Sequence, residues 1–297
     1  MQLFFLLTSH NRADLTVRCL HRLKEICNAE KLSAYAVLID AGSTDDTRRR
    51  AKGAFDGILV RSVTTNVHWA EGMAQAEKLV LDELDPSDDD LIVWLNDDVL
   101  LDRDALRKAL LWIKRDPERR NTVFSGSMRS ADGSYTYGGL DRSRWSPLRI
   151  RLVQPGSYPI PVDTFHGNFL WVPVKLAKKL GGIDGLFGHH MADIDYGVRN
   201  VKEGNRNVLL PESYGMCENN DADFSSLAEE WSYYRSIKGS GHWATRARFL
   251  KKHTRVPRVP ALLAMDAVHA IRLLRRIKKI SPIKARKPGN ADSGHWG

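Results

Sequence analysis

The sequence predicts an α/β fold in which helices flank a mainly parallel central sheet. Over residues 1 to about 125, short apolar runs alternate with segments of helical apolar spacing, as is typical of βαβ units with right-handed crossovers. Leu91–Leu95 is a run of five apolar residues, as expected for a strand buried on both faces. Asp97 and Asp98 follow at the strand's carboxyl end, where open α/β sheets form their ligand-binding crevice.

The individual elements follow from apolar periodicity and turn residues. Strands are predicted at Leu3–Leu7, Tyr35–Ile39, Ile58–Arg61, Leu91–Leu95, Phe169–Val172 and Asn207–Leu210. Helices are predicted at Ala13–Ala29, Ala70–Leu84, 103–115, Val174–Leu180 and Asp193–Glu203, and throughout the chain from Ser225 onward. The Gly-, Ser-, Tyr- and Pro-rich stretch from about 125 to 161 predicts hairpins and loops over the site.

Composition and charge restrict the class of protein. The chain has 297 residues, of which 42% are hydrophobic and 27% charged, so it is not a disordered chain. Its net charge of +9 arises mainly between Arg246 and Lys287, where Asp266 is the only carboxylate. This local excess argues against nucleic acid as a partner. Three cysteines without metal-type spacing and the lack of a signal-peptide pattern predict a cytoplasmic protein with reduced thiols.

Polar segments follow three of the predicted parallel strands. Thr8–Arg12 follows the first, Asp40–Asp45 the second and Asn96–Asp98 the fourth. Because the carboxyl ends of parallel strands meet at one edge, we expect these segments to form one site. Paired carboxylates suit Mg²⁺ or Mn²⁺, which take oxygen ligands and often share them with substrate phosphates. The alternative is a polar turn in which Asp102 and Asp104 cap the next helix.

With one later segment, these motifs resemble those of glycosyltransferase family 2, the inverting GT-A enzymes. The resemblance covers roughly residues 1–220. Its most specific parts are Asp40–Thr47 (similar to D-x-G-S-x-D-x-T), Leu95–Val99 (the D-x-D region) and Gly182–Asp195 (the G-G-F-D…E-D-x-D region).

The resemblance implies a Rossmann-like GT-A domain at residues 1–222, with a helical extension at 223–297 that ends in a frayed segment. Residues 1–125 would be the nucleotide-sugar-binding half and residues 126–222 the acceptor-binding half. The implied reaction is inverting, metal-assisted transfer of a hexose or deoxyhexose. The donor would be a nucleotide-diphosphate sugar with Mg²⁺ or Mn²⁺ on its phosphates, and the acceptor a saccharide or a lipid-linked glycan.

Several residues are predicted to bind the donor. Asp40 would accept an N–H of the nucleobase, or else form an Asx turn. Asp45 is either a ribose contact or a helix cap. Arg12 and His10 would approach the pyrophosphate at the start of the following helix, although a solvated Arg is the alternative. The other predicted donor contacts are Thr8, Gly72, Asn96 and Asp97.

The predicted metal ligands centre on Asp98, with Asp97 binding either the metal or the ribose. Asn96 stands where some relatives carry the first carboxylate of the D-x-D motif, and its amide can still accept a hydrogen bond. Relatives often have a metal-binding His after the last strand, where this chain has Cys217 followed by Glu218. A thiolate prefers softer metals than Mg²⁺, so either Glu218 substitutes or the metal is held more weakly.

Asp193 is the predicted catalytic base. In a single displacement the acceptor hydroxyl must lose its proton to a group within hydrogen-bond reach, and in the family this group is the Asp of the E-D pair. Ala192 replaces the Glu of that pair. The alternative is that Asp193 only caps the helix that begins there. The predicted acceptor contacts are Trp171, His189, His190 and Asp195.

The tail at residues 259–287 is predicted to form a basic amphipathic helix. Apolar residues such as Leu263, Ile271 and Leu274 recur at helical spacing, and basic residues cover other faces. This pattern is typical of helices on anionic membranes and predicts peripheral binding at the inner face of the plasma membrane. A helix packed on the main domain is the alternative.

Two other functions remain alternatives. Ala192 and Cys217 are departures that would suit a non-catalytic relative that binds a nucleotide-sugar or a glycan. A sugar-nucleotidyltransferase is less favoured, because Thr8–Arg12 lacks the glycines of the phosphate loop that such an enzyme needs.

Overall fold

The structure is a computed structural model that describes residues 1–63, 67–143, 149–219 and 224–280, with side chains as far as residue 275. The strands are β1 (Leu3–Ser9), β2 (Ala34–Asp40), β3 (Ile58–Ser62), β4 (Leu91–Leu95), β5 (Leu100–Leu101), β6 (Thr122–Arg129), β7 (Tyr135–Tyr137), β8 (Gly139–Arg142), β9 (Ile150–Leu152), β10 (Ile160–Pro161), β11 (Thr164–Phe165), β12 (Phe169–Pro173) and β13 (Arg206–Met216). The helices are α1 (Ala13–Ala29), α2 (Thr47–Ala54), α3 (Trp69–Glu83), α4 (Ala105–Arg115), α5 (Val174–Leu180), α6 (Ala192–Lys202), α7 (Leu227–Arg235), α8 (Trp243–His253) and α9 (Arg258–Ile280).

The central sheet confirms the predicted fold class. Its main strand order is β10-β13-β6-β12-β4-β1-β2-β3. Strands β4, β1, β2 and β3 are mutually parallel, and β6 is parallel to β13. Strand β12 runs antiparallel between β4 and β6, so the sheet is mixed at its centre and parallel from β4 to β3.

Each face of the sheet is covered by its own layer of helices. Along β1, Leu3, Phe5 and Leu7 pack with α1 and α2 on one face. Phe4 and Leu6 pack with α3 on the other. Because successive side chains of a strand point to opposite faces, burial on both sides requires an unbroken apolar run. The predicted strands were recognisable for this reason.

Strand β6 was missed by the sequence analysis, which assigned most of it to hairpins and loops. Its middle residues, Ser125, Gly126 and Ser127, are polar or small and do not look like a buried strand, although both serines are fully buried. A Cβ on Gly126 would lie 2.5 Å from the Phe169 ring, so the small residue allows large neighbours to pack across the strand. The short strands β7 to β9 do form the predicted hairpins.

The chain divides into two compact units, Met1–Arg255 and Val256–Gly297. Helices α7 and α8 belong to the first unit, and α9 begins the second. The division into halves at residue 125 and the start of an extension at residue 223 stay predictions. Residues 281–297, which include the end of the predicted basic helix and the predicted frayed segment, lie outside the described residues. Over the part of the chain described, no helix has both the length and the apolar character needed to cross a bilayer.

Candidate active site

Arg12 connects the two carboxylates that follow β4. Its Nη1 donates to Asp97 Oδ1 at 3.0 Å and to Asp98 Oδ2 at 3.1 Å. Arg12 lies just before α1, and the parallel pairing of β1 with β4 brings this residue beside β4's carboxyl end. We call these three residues the donor cluster.

Asp97 is held by the protein itself. Its Oδ2 accepts a hydrogen bond from Thr16 Oγ1 at 3.1 Å, and the side chain is almost completely buried. Burial raises the pKa of Asp97, and the charge of Arg12 opposes this shift. Asp98 is slightly more exposed, so it is the better placed of the two to receive a ligand.

The donor cluster fits a cation that is shared with a substrate. In the described ranges, no group of three or more His, Cys, Asp or Glu side chains is arranged to hold a metal ion. Mg²⁺, however, is usually bound by one or two carboxylates together with substrate phosphates. The Arg12 guanidinium lies between Asp97 and Asp98 as a stand-in cation, which indicates that the pair can hold positive charge.

Cys217, rather than Glu218, lies beside Asp98. The Cys217 Sγ is 3.5 Å from Asp98 Oδ1 and also 3.5 Å from Asn168 Nδ2. Burial and the nearby Asp98 raise the pKa of this thiol, so it is protonated in the metal-free protein, and its sulfur suits softer metals than Mg²⁺. Glu218 is exposed and accepts a hydrogen bond from the backbone N–H of Ala131, so the structure does not support it as a ligand.

The dipeptide Gly167-Asn168 connects the donor cluster to Asp193. The Asn168 carbonyl accepts the backbone N–H of Asn96 at 3.3 Å. The Gly167 N–H donates to Asp193 Oδ2 at 2.9 Å, and Asp193 Oδ1 accepts the N–H of Ile194. The N-cap of α6 is Met191, so Asp193 lies within the first turn of the helix and does not cap it, and its carboxylate faces the loop that borders Asn96.

Trp69 forms a second connection across the site. Its Nε1 donates to Asn96 Oδ1 at 2.9 Å, so this Asn accepts a hydrogen bond where relatives have a carboxylate. A Cβ on Gly167 would lie 2.5 Å from the Trp69 ring, so the ring packs directly on this backbone. Trp69 is thus in contact with both the Asn96 end and the Asp193 end of the site.

Asp40 and Asp45 line a cavity beside the carboxyl end of β2. The Asp40 carboxylate accepts the N–H of Ser43, three residues on, at 3.1 Å and the hydroxyl of Ser62 at 3.0 Å, so it connects the turn after β2 to the end of β3. Asp45 accepts the N–H groups of Ala13 and Thr47 near the starts of α1 and α2. The cavity has a volume of about 500 Å³, and its lining residues are Asp40, Gly42, Ser43, Asp45, Arg48, Arg49, Lys52 and Ser62.

The other predicted donor contacts differ in how they are placed. His10 is exposed, and its Nδ1 lies 2.9 Å from the Ala41 carbonyl, so its ring bridges the ends of β1 and β2. Thr8 and Gly72 contact each other: any Cβ at Gly72 would clash with the Thr8 hydroxyl. Gly72 thus allows close packing of α3 on β1, and its predicted approach to the donor has no support in this geometry.

Two predicted acceptor contacts are fully buried. Trp171 lies in the core and packs on Phe169, with ring centroids 5.4 Å apart. Asp195 has no exposed surface and accepts hydrogen bonds from Arg199 (2.8 Å) and His253 (2.7 Å). Lys252 Nζ lies 2.7 Å from the same carboxylate, which completes what we call the Asp195 cluster. The structure does not support an acceptor contact for either residue.

His189 and His190 lie in the loop before α6 and are partly exposed, so they remain available for an acceptor. Burial, followed by the charges of His190 and Lys238, lowers the pKa of His189 to about 4. His166, which sequence analysis missed, precedes Gly167. Burial lowers its pKa, the charge of Asp193 opposes this shift, and its buried Nδ1 has no hydrogen-bond partner among the described residues.

The missed residues share one property: each depends on a contact between distant parts of the chain. His166 and Asn168 lie outside the recognised motifs. Thr16 had a weak signal, because it follows Arg12 by four residues and so lies near it on the first turn of α1. The Cys217 contact with Asp98 joins residues 119 positions apart.

The fold and the sequence both have counterparts. The structure is similar to that of TarS of S. aureus in complex with UDP-GlcNAc, with a TM-score of 0.54 at 13% identity, covering 96% of this chain and 77% of that one. It is also similar to the mannosyltransferase PcManGT from Pyrobaculum calidifontis in complex with GDP-Man and Mn²⁺, with a TM-score of 0.52 at 16% identity, covering 96% and 84%. A third similar structure is GalNAc-T7 with UDP, GalNAc and Mn²⁺, with a TM-score of 0.53 at 12% identity, covering 87% and 52%.

At these identities the likeness shows the fold, which is the GT-A fold. No curated protein matches the sequence significantly. The model of the family described as glycosyl transferase family 2 matches residues 5–180, a span that includes the donor cluster and the Gly167-Asn168 connection. The chain belongs to glycosyl transferase family 2 and is a glycosyltransferase.

Proposed function

We propose that the chain transfers a hexose or deoxyhexose from a nucleotide-diphosphate sugar to a saccharide or lipid-linked glycan, with inversion in one displacement. The observation that carries this proposal is the Gly167-Asn168 connection. Through it, Asp193 and Asn96 hydrogen-bond to adjacent residues of one loop. The reaction requires a base that takes the proton of the acceptor hydroxyl and a cation that offsets the charge of the diphosphate, and a pair of acids is suited to hold that cation.

The donor would lie across the carboxyl ends of β1, β2 and β4. The cavity beside Asp40 has a size that suits part of a nucleotide, and its basic residues suit an anionic ligand. Arg12 would then orient the diphosphate from its position between the two acids. TarS, PcManGT and GalNAc-T7 were each solved with a nucleotide or nucleotide-sugar, which supports this class of donor.

The residues that would hold Mg²⁺ or Mn²⁺ are Asp98 and, beside it, Asp97. Bound there, a divalent ion would offset the negative charge that develops on the leaving nucleoside diphosphate. The Mn²⁺ in the PcManGT and GalNAc-T7 structures supports this choice of ion.

Asp193 would act as the base. Each of its oxygens accepts one backbone N–H, which fixes the carboxylate and leaves a further lone pair on each oxygen for an acceptor hydroxyl. Partly exposed, Asp193 can meet an acceptor without a rearrangement of the core.

A second proposal concerns α9, considered alone. Its exposed apolar side chains include Leu263, Ile271 and Leu274, of which Leu263 is 54% and Leu274 57% exposed. Arg272 and Arg275 lie on the same helix and are also exposed. This combination supports a peripheral contact with an anionic membrane, as would suit a lipid-linked acceptor. The full chain should sediment with anionic vesicles in a salt-sensitive manner, and deletion of 259–297 should abolish this. Sedimentation that persists after the deletion would contradict the membrane contact.

The transfer reaction is tested with a panel of nucleotide-sugars and simple saccharide acceptors in Mn²⁺ or Mg²⁺, scored by release of the nucleoside diphosphate. Asp193→Asn should lower kcat by about 10²- to 10⁴-fold and leave donor affinity within about twofold. The exposed Asp14→Asn on α1 is the matched control and should have no effect. Full transfer by Asp193→Asn would show that another group is the base.

The same panel distinguishes a glycosyltransferase from the alternative, a non-catalytic relative that only binds its ligand. The protonated thiol of Cys217 at the expected ligand position is the observation that favours it. A non-catalytic relative would be stabilised against heat by a nucleotide-sugar and would release no nucleoside diphosphate with any acceptor.

A further inference from the structure

Four histidines surround the loop that precedes α6. The rings of His68 and His189 are 6.5 Å apart between centroids, and those of His189 and His190 are 5.0 Å apart. His242 Nδ1 lies 2.9 Å from the Thr245 hydroxyl, which donates to the Phe187 carbonyl just before the same loop. We call these four residues the histidine corner.

Three helices begin at the histidine corner. His68 is the N-cap of α3 and His242 the N-cap of α8, while His189 and His190 immediately precede Met191, the N-cap of α6. None of these three caps accepts a helix N–H with its side chain. Helix N-termini carry partial positive charge and unpaired N–H groups, and both favour anions.

Hydrogen bonds hold the three helix starts together. The Ala70 N–H at the start of α3 donates to the Gly188 carbonyl at 2.8 Å. The Thr245 hydroxyl in the first turn of α8 donates to the Phe187 carbonyl at 3.0 Å. The two acceptors are adjacent residues of the loop before α6, so the arrangement belongs to the fold and does not depend on exposed side chains alone.

Charged side chains around the corner are mainly basic. His190 Nε2 bonds the backbone carbonyl of Lys238, and Arg235 lies 4.5 Å from the Trp243 ring centroid on the other side of the α7–α8 turn. The charges of Lys238 and Arg12 both act on His189. The carboxylates on these helix starts are Glu71 on α3 and Asp193 on α6.

Two of the histidines, His189 and His242, have a lowered pKa, and burial is the main cause. Burial and then the charges of His190, Lys238, His68 and Arg12 lower the pKa of His189, and burial followed by Arg235 lowers that of His242. An anion placed among these rings would reverse the effect, because a negative charge favours the protonated imidazole. Binding should therefore be accompanied by uptake of protons.

We propose that the histidine corner binds a phosphate group carried by the acceptor, next to the hydroxyl that Asp193 would deprotonate. This inference rests on the proposed function, since it names the class of acceptor for the same site. Imidazole N–H groups, helix N-termini and Lys238 are donors suited to phosphate oxygens. Asp193 lies in the first turn of α6, and His190 is in the loop that leads directly into this helix, so the corner and the base belong to one segment of the chain.

Inorganic phosphate is the probe for binding. In the full chain, at constant ionic strength, we expect the ring carbon-bound protons of His68, His189, His190 and His242 to shift together in NMR spectra as phosphate is added. The proposal would be overturned if the corner rings do not shift, or if they shift no more than the exposed His21 on α1. It would also be overturned if the dominant shift is that of His10 at the donor end.

Variants test whether the corner acts as a unit. Replacing His189 and His190 together by Gln should weaken phosphate binding by about tenfold or more, as expected from the loss of hydrogen bonds to a charged group. His21→Gln is the control and should bind phosphate as the wild type does. His242→Gln, at the partly exposed start of α8, gives a second test should the double variant fail to fold. Unchanged phosphate affinity in a folded variant would contradict the proposal.

Acceptor preference separates this inference from the proposed function. The ratio of kcat/KM for a hexose 6-phosphate over the unmodified hexose should exceed one in the wild type and fall about tenfold in the double variant. Transfer that depends on Asp193 but shows no such preference would overturn the phosphate site alone. Phosphate binding at the corner with no transfer from any donor would instead overturn the proposed function.

Discussion

The donor cluster and the Asp195 cluster both join acids to cations, but their charge balance is opposite. In the donor cluster, two carboxylates share one guanidinium, and 38% of the Arg12 side chain is exposed. In the Asp195 cluster, one fully buried carboxylate receives Arg199, Lys252 and His253. The first can accept a further cation and the second cannot. We therefore interpret the donor cluster as functional and the Asp195 cluster as a structural tie between α6 and α8.

Removing the charge of Asp195 should have the largest effect on stability. In Asp195→Asn, Arg199 and Lys252 lose a buried counter-charge, and breaking a buried ion pair costs about 3–5 kcal/mol. Urea unfolding measures the loss, with the exposed Asp14→Asn as control. Donor affinity should change little in the folded variant. A loss under about 1 kcal/mol would mean that this cluster is no structural tie.

Acid should weaken the same cluster. Burial alone would raise the pKa of Asp195, but hydrogen bonds from His253 and Lys252 and the charge of Arg199 lower it to about 2. Its folded pKa is below the unfolded value of 3.8, so the stabilisation is complete above that value and is lost as pH falls toward 2. The loss amounts to about 2 kcal/mol, since one pKa unit is about 1.4 kcal/mol.

Titration of His253 should extend this loss to milder acid. Burial lowers the pKa of His253, more than Asp195 raises it, so folding disfavours its charged form. Stability should then begin to fall as pH drops below about 6.5, the unfolded value. Urea unfolding between pH 8 and pH 3 checks both steps. An Asp195→Asn protein with the same acid dependence as the wild type would contradict the assignment.

Removing Arg12 should open the donor cluster to metal. Arg12→Met keeps the aliphatic stem and deletes the cation that Asp97 and Asp98 share. Without donor, Mn²⁺ affinity should rise about tenfold, or about 1.4 kcal/mol, as measured by the EPR signal of free Mn²⁺. Nucleotide-sugar affinity should fall in the same variant. Arg18→Met, on the exposed side of α1, is the control. Weaker Mn²⁺ binding by Arg12→Met would contradict the idea that the Arg12 guanidinium and Mn²⁺ compete for the two carboxylates.

The smallest expected effect concerns the connection from the donor cluster to α3. Trp69→Phe removes one hydrogen bond, that of Nε1 to Asn96 Oδ1. The free energy of unfolding should fall by about 1 kcal/mol, and the donor KM should rise modestly because Asn96 loses its fixed orientation. Trp112→Phe, on the partly exposed side of α4, is the comparison. If the two substitutions change the free energy of unfolding and the donor KM equally, the hydrogen bond of Trp69 to Asn96 has no specific role in the site.

The parallel half of the sheet was predictable because burial on both faces demands unbroken apolar runs, as in Leu3–Leu7 and Leu91–Leu95. Strand β6 was not, because Ser125 and Gly126 are there to accommodate large neighbours that lie far away in the sequence. Motif residues at strand ends were likewise recognisable, since their location follows from topology alone.

Side-chain partners were harder to predict than locations. That Arg12 would bridge Asp97 and Asp98 requires knowing how β1 and β4 align, and these residues are 85 or more positions apart. Asp195 was expected at the acceptor because it follows Asp193 by two residues, whereas a helix turns it toward the cations of α8. The sequence pattern locates such groups on an element but does not say which distant element will neutralise them.

The contact between Gly72 and Thr8 sets a size limit at the crossing of α3 over β1. Any side chain at position 72 would push the first turns of the helix outward, and Trp69 and His68 would move with it. Positions 8 and 72 should therefore vary together among homologues, with a bulkier residue at one accompanied by a smaller residue at the other. A designer who wishes to shift Trp69 and His68 could do so from this crossing, without altering the donor cluster or Asp193.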